Sequence, residues 1–434
     1  MTEPNLQRDE YECIVVGGGP AGATVATLLA KAGHQTLVLE KARFPRHHIG
    51  ESLMPQTYST FQRLGMIDKL DASKFPRKES VQFVSADGAE STPYYFTDRD
   101  PSPWSVTWQV RRDTFDEMML ENARDAGAEI QQNVRVSEVL FDGERATGVT
   151  ALINSAPRRI SAKVVVDASG TTGLLSRQLG IRKPEPALRN GAIYAYYQGA
   201  HRDEGRNAGA TIIIHTPNRE GWFWVIPLPD DVTSIGVVAP PSHLFTGRGD
   251  NPLATFEELA SLCPGIARRI EGARRISDAY VTSDFSYHAS RVAGDGWVLV
   301  GDAFGFLDPI YSSGVFLALK SGELAADAIH DALSAGDCSA PRLARFGPEL
   351  SAGMHLIRQL VYAFYDRSFS FGRFSREFPE YRDHIVRLLI GDVFNNEVGQ
   401  VFNAMRDWVD LPEPIDLDGT SPEPENARRQ DQPT

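Results

Sequence analysis

Apolar positions near the start of the chain fall in two periods. Tyr11 to Val16 is a short run rich in β-branched residues, Ala23 to Ala32 carries alanine-rich helical spacing, and Thr36 to Leu39 is a second apolar run that ends at Glu40. Strand, tight turn, helix and strand in this order open a doubly wound α/β domain. Asp113 to Gly127 predicts an amphipathic helix with Phe115, Met118, Met119 and Leu120 inward, while Lys163 to Ala168 and Trp297 to Val300 predict further buried strands. Because these pieces are separated, the nucleotide-type domain is expected to be discontinuous, over 8–75, 105–182 and 278–340. Thr211 to Ile214 and Trp222 to Pro229 mix β-branched and aromatic residues, which predicts antiparallel strands. They assign a sheet-based substrate domain to 76–104 and 183–277. A helical region is expected over 341–410. Residues 411–434, rich in Pro, Asp and Glu without periodicity, are expected to be a disordered tail.

Composition narrows the partners. The chain has 434 residues, enough for two or three closely packed units, and its 57 acidic against 44 basic side chains give a formal charge of −13. That balance disfavours nucleic acid and anionic lipid and favours a small molecule or a protein. No window approaches the roughly eighteen consecutive apolar residues of a membrane helix. Met1 to Glu10 is acidic and polar, unlike a secretory signal, so a cytoplasmic location is expected. Cys13, Cys263 and Cys338 are too far apart for a metal set and odd in number, hence structural or surface thiols. His47 and His48 diverge as neighbours on an extended chain, so no metal is expected there.

The chemistry begins at Gly17-Gly18-Gly19-Pro20-Ala21-Gly22. Gly17, Gly19 and Gly22 follow a strand and open a helix, and Glu40 comes at the distance the dinucleotide fingerprint requires. Gly17 permits the tight turn, Gly19 lets the backbone approach a pyrophosphate, and Gly22 allows close helix packing. Free N–H groups at the helix start face anionic oxygens, and the Glu40 carboxylate would accept from a ribose hydroxyl. The fingerprint alone does not separate FAD from NAD.

From residue 11 to about 330 the chain resembles FAD-dependent monooxygenases of the hydroxylase type. The resemblance rests on Val110-Arg111-Arg112-Asp113-Thr114-Phe115-Asp116, with Arg112 at the family arginine, and on Gly301-Asp302-Ala303, whose aspartate the family places at the ribityl and pyrophosphate end of FAD. It implies a Rossmann-like FAD-binding domain of the hydroxylase and glutathione-reductase kind, an antiparallel β-sheet substrate domain and a helical C-terminal region. It also implies a cofactor site of Gly17, Gly19, Ala21, Gly22, Glu40, Lys41, Arg112, Val136, Asp302, Pro309 and Gly314.

Within that fold three segments are similar to flavin-dependent halogenases of the phenol and pyrrole type. Trp222-Phe223-Trp224-Val225-Ile226-Pro227 matches their W-x-W-x-I-P signature. Its two tryptophans share one strand face, where they could wall a flavin chamber. Phe306-Leu307-Asp308-Pro309-Ile310-Tyr311-Ser312-Ser313-Gly314 resembles their F-x-x-P-x-x-S-x-G segment and implies a halide held on the N–H groups of Ser313 and Gly314. Phe306, Tyr311, Ser312, Trp222, Trp224, Ile226 and Pro227 would then line the flavin chamber or the substrate. Phe75 to Phe83, downstream of Gly50-Glu51-Ser52-Leu53-Met54-Pro55, resembles the segment of the catalytic lysine and places it at Lys78, with Ser80 where the family commonly has glycine. Lys69 and Lys74 compete for that role.

The resemblance implies FADH2 delivered by a separate flavin reductase, oxygen, a halide ion, and an electron-rich ring halogenated at Lys78. Tyr311 stands where halogenases of free tryptophan commonly carry a glutamate, which points to phenol-like or pyrrole-like substrates, free or held on an acyl or peptidyl carrier protein. A hydroxylase or double-bond reductase of the same fold would use much of the same FAD site without Lys78, and an FAD-binding scaffold would use none of the chemistry.

Overall fold

The computed structural model describes residues 6–249, 251–283, 286–395 and 397–418. Strand β1 (Glu10–Val16) runs parallel to β2 (Thr36–Glu40) and to the strand Ala156–Asp167, with Val16 opposite both Leu39 and Asp167. The sheet continues as Trp297–Leu299 beside Ala156–Asp167 and Glu129–Gln132 beside β2. Cys13, Ile14 and Val15 are fully buried, as a central strand with both faces covered requires. Helix α1 (Pro20–Lys31) returns along this sheet and packs on the long helix Ser313–Ser334. Small residues set that approach: a Cβ at Gly22 would lie 2.0 Å from the Gly17 carbonyl oxygen, and one at Gly322 2.8 Å from that of Ala21. Val25 and Leu29, both fully buried, each contribute about 1.5–3 kcal/mol of hydrophobic stabilisation.

The second sheet follows the order Arg274–Arg275, Gly191–Gln198, Val232–Ala239, Trp222–Pro227, Thr211–His215, Ser80–Val84, Tyr94–Tyr95. Its pairings are antiparallel with one exception. Ser80–Val84 runs parallel to Thr211–His215, because it arrives from an earlier part of the chain and no hairpin fixes its direction. The sheet is thus antiparallel as expected, apart from this one parallel pairing near its edge. Side chains alternate between two cores. Ile213, Trp222, Trp224 and Ile226 join the core shared with the first sheet, whereas Ile212, Ile214, Phe223 and Val225 pack with Phe256, Leu259 and Ile266 on the far face. Phe223 is fully buried there, and its loss to alanine would cost about 3–5 kcal/mol.

Residues after Ala340 are mainly helical, and the helix Gly347–Tyr365 lays its face on the rest of the molecule through Leu350, Met354, Ile357 and Leu360. No helix among the described residues is long and apolar enough to cross a membrane. The tail differs from expectation over 411–418: Leu411, Ile415 and Leu417 are buried, Asp418 N–H donates to the Ser290 carbonyl at 2.8 Å, and Arg358 holds the Glu413 carbonyl at 2.6 Å. Apolar residues spaced between prolines anchor an extended strap here without any periodic element. Residues 419–434, the remainder of the expected tail, lie outside the described residues.

Candidate active site

The glycine turn sits at the carboxyl ends of β1, β2 and Ala156–Asp167, where open α/β sheets bind their ligands. Gly17 has φ +107° and a Cβ there would lie 2.4 Å from the Ala168 oxygen, so a side chain is excluded. At Gly19 the nearest neighbour of such a Cβ is the Arg46 guanidinium at 3.4 Å, which leaves the backbone open to a ligand. Glu40 is buried, and its two oxygens accept from the Gly18 and Ala42 N–H groups, each at 2.8 Å. It therefore braces the turn from below, with a lone pair on each oxygen still available. Lys41 reaches the Thr172 hydroxyl at 3.1 Å from an exposed position, and Val136 is buried in a strand opposite Ala151.

Arg112 is no surface charge. It is 5% exposed and holds Asp116 with two bonds of 2.7 and 3.0 Å. A third N–H group donates to the Ile49 carbonyl at 2.5 Å, which ties the segment from Arg46 to Pro55 to the helix Arg112–Asp125. Asp302, within the field of Arg112, is pushed up to about 6 because burial outweighs that cation. Glu51 is buried too and rises to about 7 by desolvation, which outweighs the lowering influence of Ser234 and of Tyr196, whose hydroxyl donates to it at 2.8 Å.

At the segment 306–314, Asp308 accepts from the Ile310 N–H at 3.2 Å and so closes the turn Pro309–Tyr311. Ser312 follows in the left-handed region at φ +59° and starts the 22-residue helix Ser313–Ser334. The first N–H groups of that helix lack intrahelical partners, and its dipole favours an anion. Ser313 is 1% exposed and its hydroxyl has no partner among the described residues, so an orphaned donor lies among these N–H groups. A Cβ at Gly314 would lie 3.2 Å from the Phe306 ring, which walls one side. Tyr311 donates to the Leu360 carbonyl at 3.3 Å, and burial, Asp308 and Tyr94 hold its phenol well above the usual range.

Trp222 and Trp224 face this region with ring centroids 6.1 Å apart, followed on the same strand by buried Ile226 and by Pro227. Trp222 donates its indole N–H to the Tyr365 hydroxyl at 2.8 Å, and Trp224 donates to Ser234 at 3.1 Å. Tyr365 and Asn190 each donate to the same Asp308 oxygen at 2.8 Å. The Asp308 carboxyl, desolvated yet held by three donors, is pushed up to about 6.

Lys78 lies on β3 (Arg77–Lys78), paired with Thr107–Trp108. Strand alternation sends Arg77 outward, its guanidinium 4.5 Å from the Trp108 ring centroid, and Lys78 inward, where it is 4% exposed. Its amine donates to Ser52 Oγ and to the Leu53 carbonyl, each at 2.8 Å, with the Phe96 ring centroid 5.7 Å away. Burial alone lowers its pKa to about 7. The two competitors are ordinary surface lysines: Lys74 is 81% exposed beside Asp230, and Lys69 pairs with Asp125. Tyr94, two residues before Phe96, adds to the field that raises the Tyr311 phenol, and its ring packs edge-on against Phe83.

Several residues of this site escape the sequence reading. Tyr365, Asn190, Thr211 and Gln109 belong to no motif, while Asp308, Glu51 and Ser52 lie inside quoted segments without an assigned role.

A dinucleotide crevice with an open Gly19, a buried Arg112 bound to Asp116 with Asp302 in its field, and an orphaned donor at a helix start fit FAD and an anion, and together define an FAD-dependent oxidoreductase. Residues 10–336 match the FAD binding domain family. The chain is 31% identical over 420 residues to the 1H-pyrrole-2-carbonyl-[peptidyl-carrier protein] chlorinase of Pseudomonas fluorescens, covering 92% of this chain and 93% of that one. It is 34% identical over 390 residues to the corresponding brominase of Pseudoalteromonas luteoviolacea, covering 89% and 93%. The solved flavin-dependent brominase Bmp2 superimposes with a TM-score of 0.82 at 32% identity, over 92% of this chain and 99% of that chain. This chain belongs to the flavin-dependent halogenases.

Proposed function

We propose that the chain uses FADH2 and oxygen to oxidise chloride or bromide, and delivers the halogen through Lys78 to a pyrrole-like ring carried on a peptidyl carrier protein. The observation that carries the reading is Lys78 itself, a buried primary amine lowered to about 7 and bonded to no carboxylate among the described residues. Near neutral pH a fraction of it is a neutral nucleophile shielded from water. When bound, the reduced flavin supplies the electrons that let oxygen oxidise the halide to the hypohalous acid level. Gly17, Gly19, Ala21, Gly22, Glu40 and Lys41 would hold the nucleotide end, Val136, Arg112 and Asp302 the middle, and Pro309 with Gly314 the ring. The N–H groups of Ser313 and Gly314, with the Ser313 hydroxyl, would hold the halide. Trp222, Trp224, Ile226, Pro227, Phe306, Tyr311 and Ser312 would keep the organic substrate away from the flavin.

A carrier-bound pyrrole is preferred over a free phenol because two relatives aligned over nearly their full length carry that substrate in their names. A single dinucleotide fingerprint supports a separate flavin reductase as the electron source, and we place the protein in the cytoplasm with its three cysteines as thiols. The nucleotide unit would comprise 8–75, 105–182 and 278–340, and the substrate unit 76–104 and 183–277. The test is a mass-spectrometric comparison of pyrrolyl-carrier protein, free pyrrole-2-carboxylate and simple phenols, each with FAD, a reductase, NADH and bromide or chloride. Halogen incorporation that favours the carrier-bound ring is expected. Halogenation of free phenols with none on the carrier would overturn the substrate assignment.

A further inference from the structure

Lys78 does not rest on its pocket passively. The segment Glu51–Leu53 pairs through its backbone with Trp108–Val110: Val110 N–H donates to the Glu51 carbonyl at 2.7 Å, Leu53 N–H to the Trp108 carbonyl at 3.2 Å, and Ser52 bridges Gln109. Gln109 N–H donates in turn to the Pro76 carbonyl at 2.9 Å, so three distant stretches of chain meet under the amine. The Ser52 hydroxyl lies 2.7 Å from that of Thr211, and the Gln109 amide donates to Thr211 Oγ1 and to the Gly209 carbonyl, both at 2.9 Å. Ser52, Gln109 and Thr211 are all buried. This hydroxyl pair is shut off from water and fixed by a side chain that can only donate through its NH2 group.

An amine has four tetrahedral directions, one of them the bond to carbon. In the neutral form two N–H groups and one lone pair remain. The Leu53 carbonyl and Ser52 Oγ occupy the two N–H groups, which leaves the lone pair in the last direction. Leu53 acts through backbone, but Ser52 is a side chain held in register by Thr211 and Gln109.

We infer that Ser52, braced by Thr211 and Gln109, is a positioning residue that takes the second N–H of Lys78 and thereby aims its lone pair at the incoming halogen. The inference rests on the assignment of Lys78 above. In the step it serves, the nitrogen lone pair attacks the halogen of hypohalous acid, the N–X bond forms and the X–O bond breaks. The extra proton on nitrogen passes to the departing hydroxide, giving water. The aromatic ring then takes the halogen, a C–X bond replaces N–X, and the ring proton returns the nitrogen to its amine.

The experiment compares Ser52→Ala, Ser52→Thr and the near-isosteric Thr211→Val with the wild type and with Lys78→Ala, all as full chains loaded with FAD. Product formed per oxygen consumed is measured, and 15N NMR of lysine-labelled protein follows the Lys78 nitrogen, assigned by its loss in Lys78→Ala. Ser52→Ala should lower product per oxygen about tenfold, the effect expected from one lost bond to a reacting amine, with oxygen uptake kept. Its nitrogen should titrate at lower pH, since an acceptor for the ammonium is gone. Ser52→Thr should restore both readouts, and Thr211→Val should show the same loss in smaller measure, which keeps the test alive if Ser52→Ala folds poorly. Unchanged product per oxygen in Ser52→Ala and Thr211→Val, with Lys78→Ala inactive, would overturn the inference and leave the lysine assignment standing. Full product from Lys78→Ala would overturn both.

Discussion

The Trp222 indole nitrogen lies 2.8 Å from the Tyr365 hydroxyl, which passes its own proton toward Asp308 at the same distance. Three parts of the molecule are linked by these two bonds: the motif strand Trp222–Pro227, the helix Gly347–Tyr365 and the turn that presents Ser313. Because Asp308 also caps Ile310, the turn that carries the proposed halide site is held by a residue more than fifty positions downstream.

Tyr365→Phe should therefore loosen the proposed halide site without touching the dinucleotide turn. It orphans the Trp222 N–H and removes one of three donors to Asp308, a loss of about 1–3 kcal/mol. We expect a lower urea midpoint and a severalfold higher bromide concentration for half-maximal product formation, with FAD affinity unchanged. Unaltered bromide dependence would show that the link does not shape the site.

Lys78 gives a pH dependence of known sign. Its pKa falls from 10.5 in the unfolded chain to about 7 in the folded one, so between these values the unfolded state binds more protons. Stability from this group is complete above the unfolded value and is lost as pH falls toward 7. In urea titrations the wild type should gain stability from pH 7 to pH 9 relative to Lys78→Met, in which that slope vanishes. Glu51, raised to about 7, acts in the opposite sense, losing stability as pH rises from its unfolded value through 7, and Glu51→Gln should remove that slope.

Tyr311 bears on substrate choice. Its phenol is buried, bonded to the Leu360 carbonyl and held well above the usual range, so it cannot serve as a carboxylate base toward an indole. Free tryptophan should be turned over far more slowly than a pyrrolyl-carrier substrate in a direct competition read by mass spectrometry. Equal rates would contradict this role.

A single dinucleotide fingerprint leads to a further expectation. Mixed anaerobically with NADH or NADPH in stopped flow, the FAD-loaded protein should keep its oxidised spectrum until a flavin reductase is added. Rapid bleaching with nicotinamide alone would contradict the two-component scheme.

How much of this was legible in the sequence follows from how local each feature is. The glycine turn and Trp222–Pro227 are continuous segments whose backbone geometry their own residues dictate, and both could be read directly. Arg112 and Lys78 could be placed by resemblance, but their burial could not, because it depends on Asp116, Ile49 and Ser52 arriving from other elements. The Ser52–Thr211 contact joins residues 159 positions apart, and no periodicity signals it. Ser80–Val84 falls within the expected sheet domain, but nothing in it marks a strand or its parallel direction, and 411–418 reads as disordered because its buried Leu411, Ile415 and Leu417 are too sparsely spaced to form a pattern.

The central claim is that the flavin reaction and the halogenation are divided between two places, with Lys78 at the second. It is tested most directly by measuring oxygen uptake and halogenated product together in Lys78→Ala, supplied with FADH2, bromide and the pyrrolyl-carrier substrate. The account predicts oxygen uptake close to wild type, accumulation of peroxide or hypohalite, and no halogenated ring, while Lys74→Ala retains product. Wild-type product yield from Lys78→Ala would contradict it.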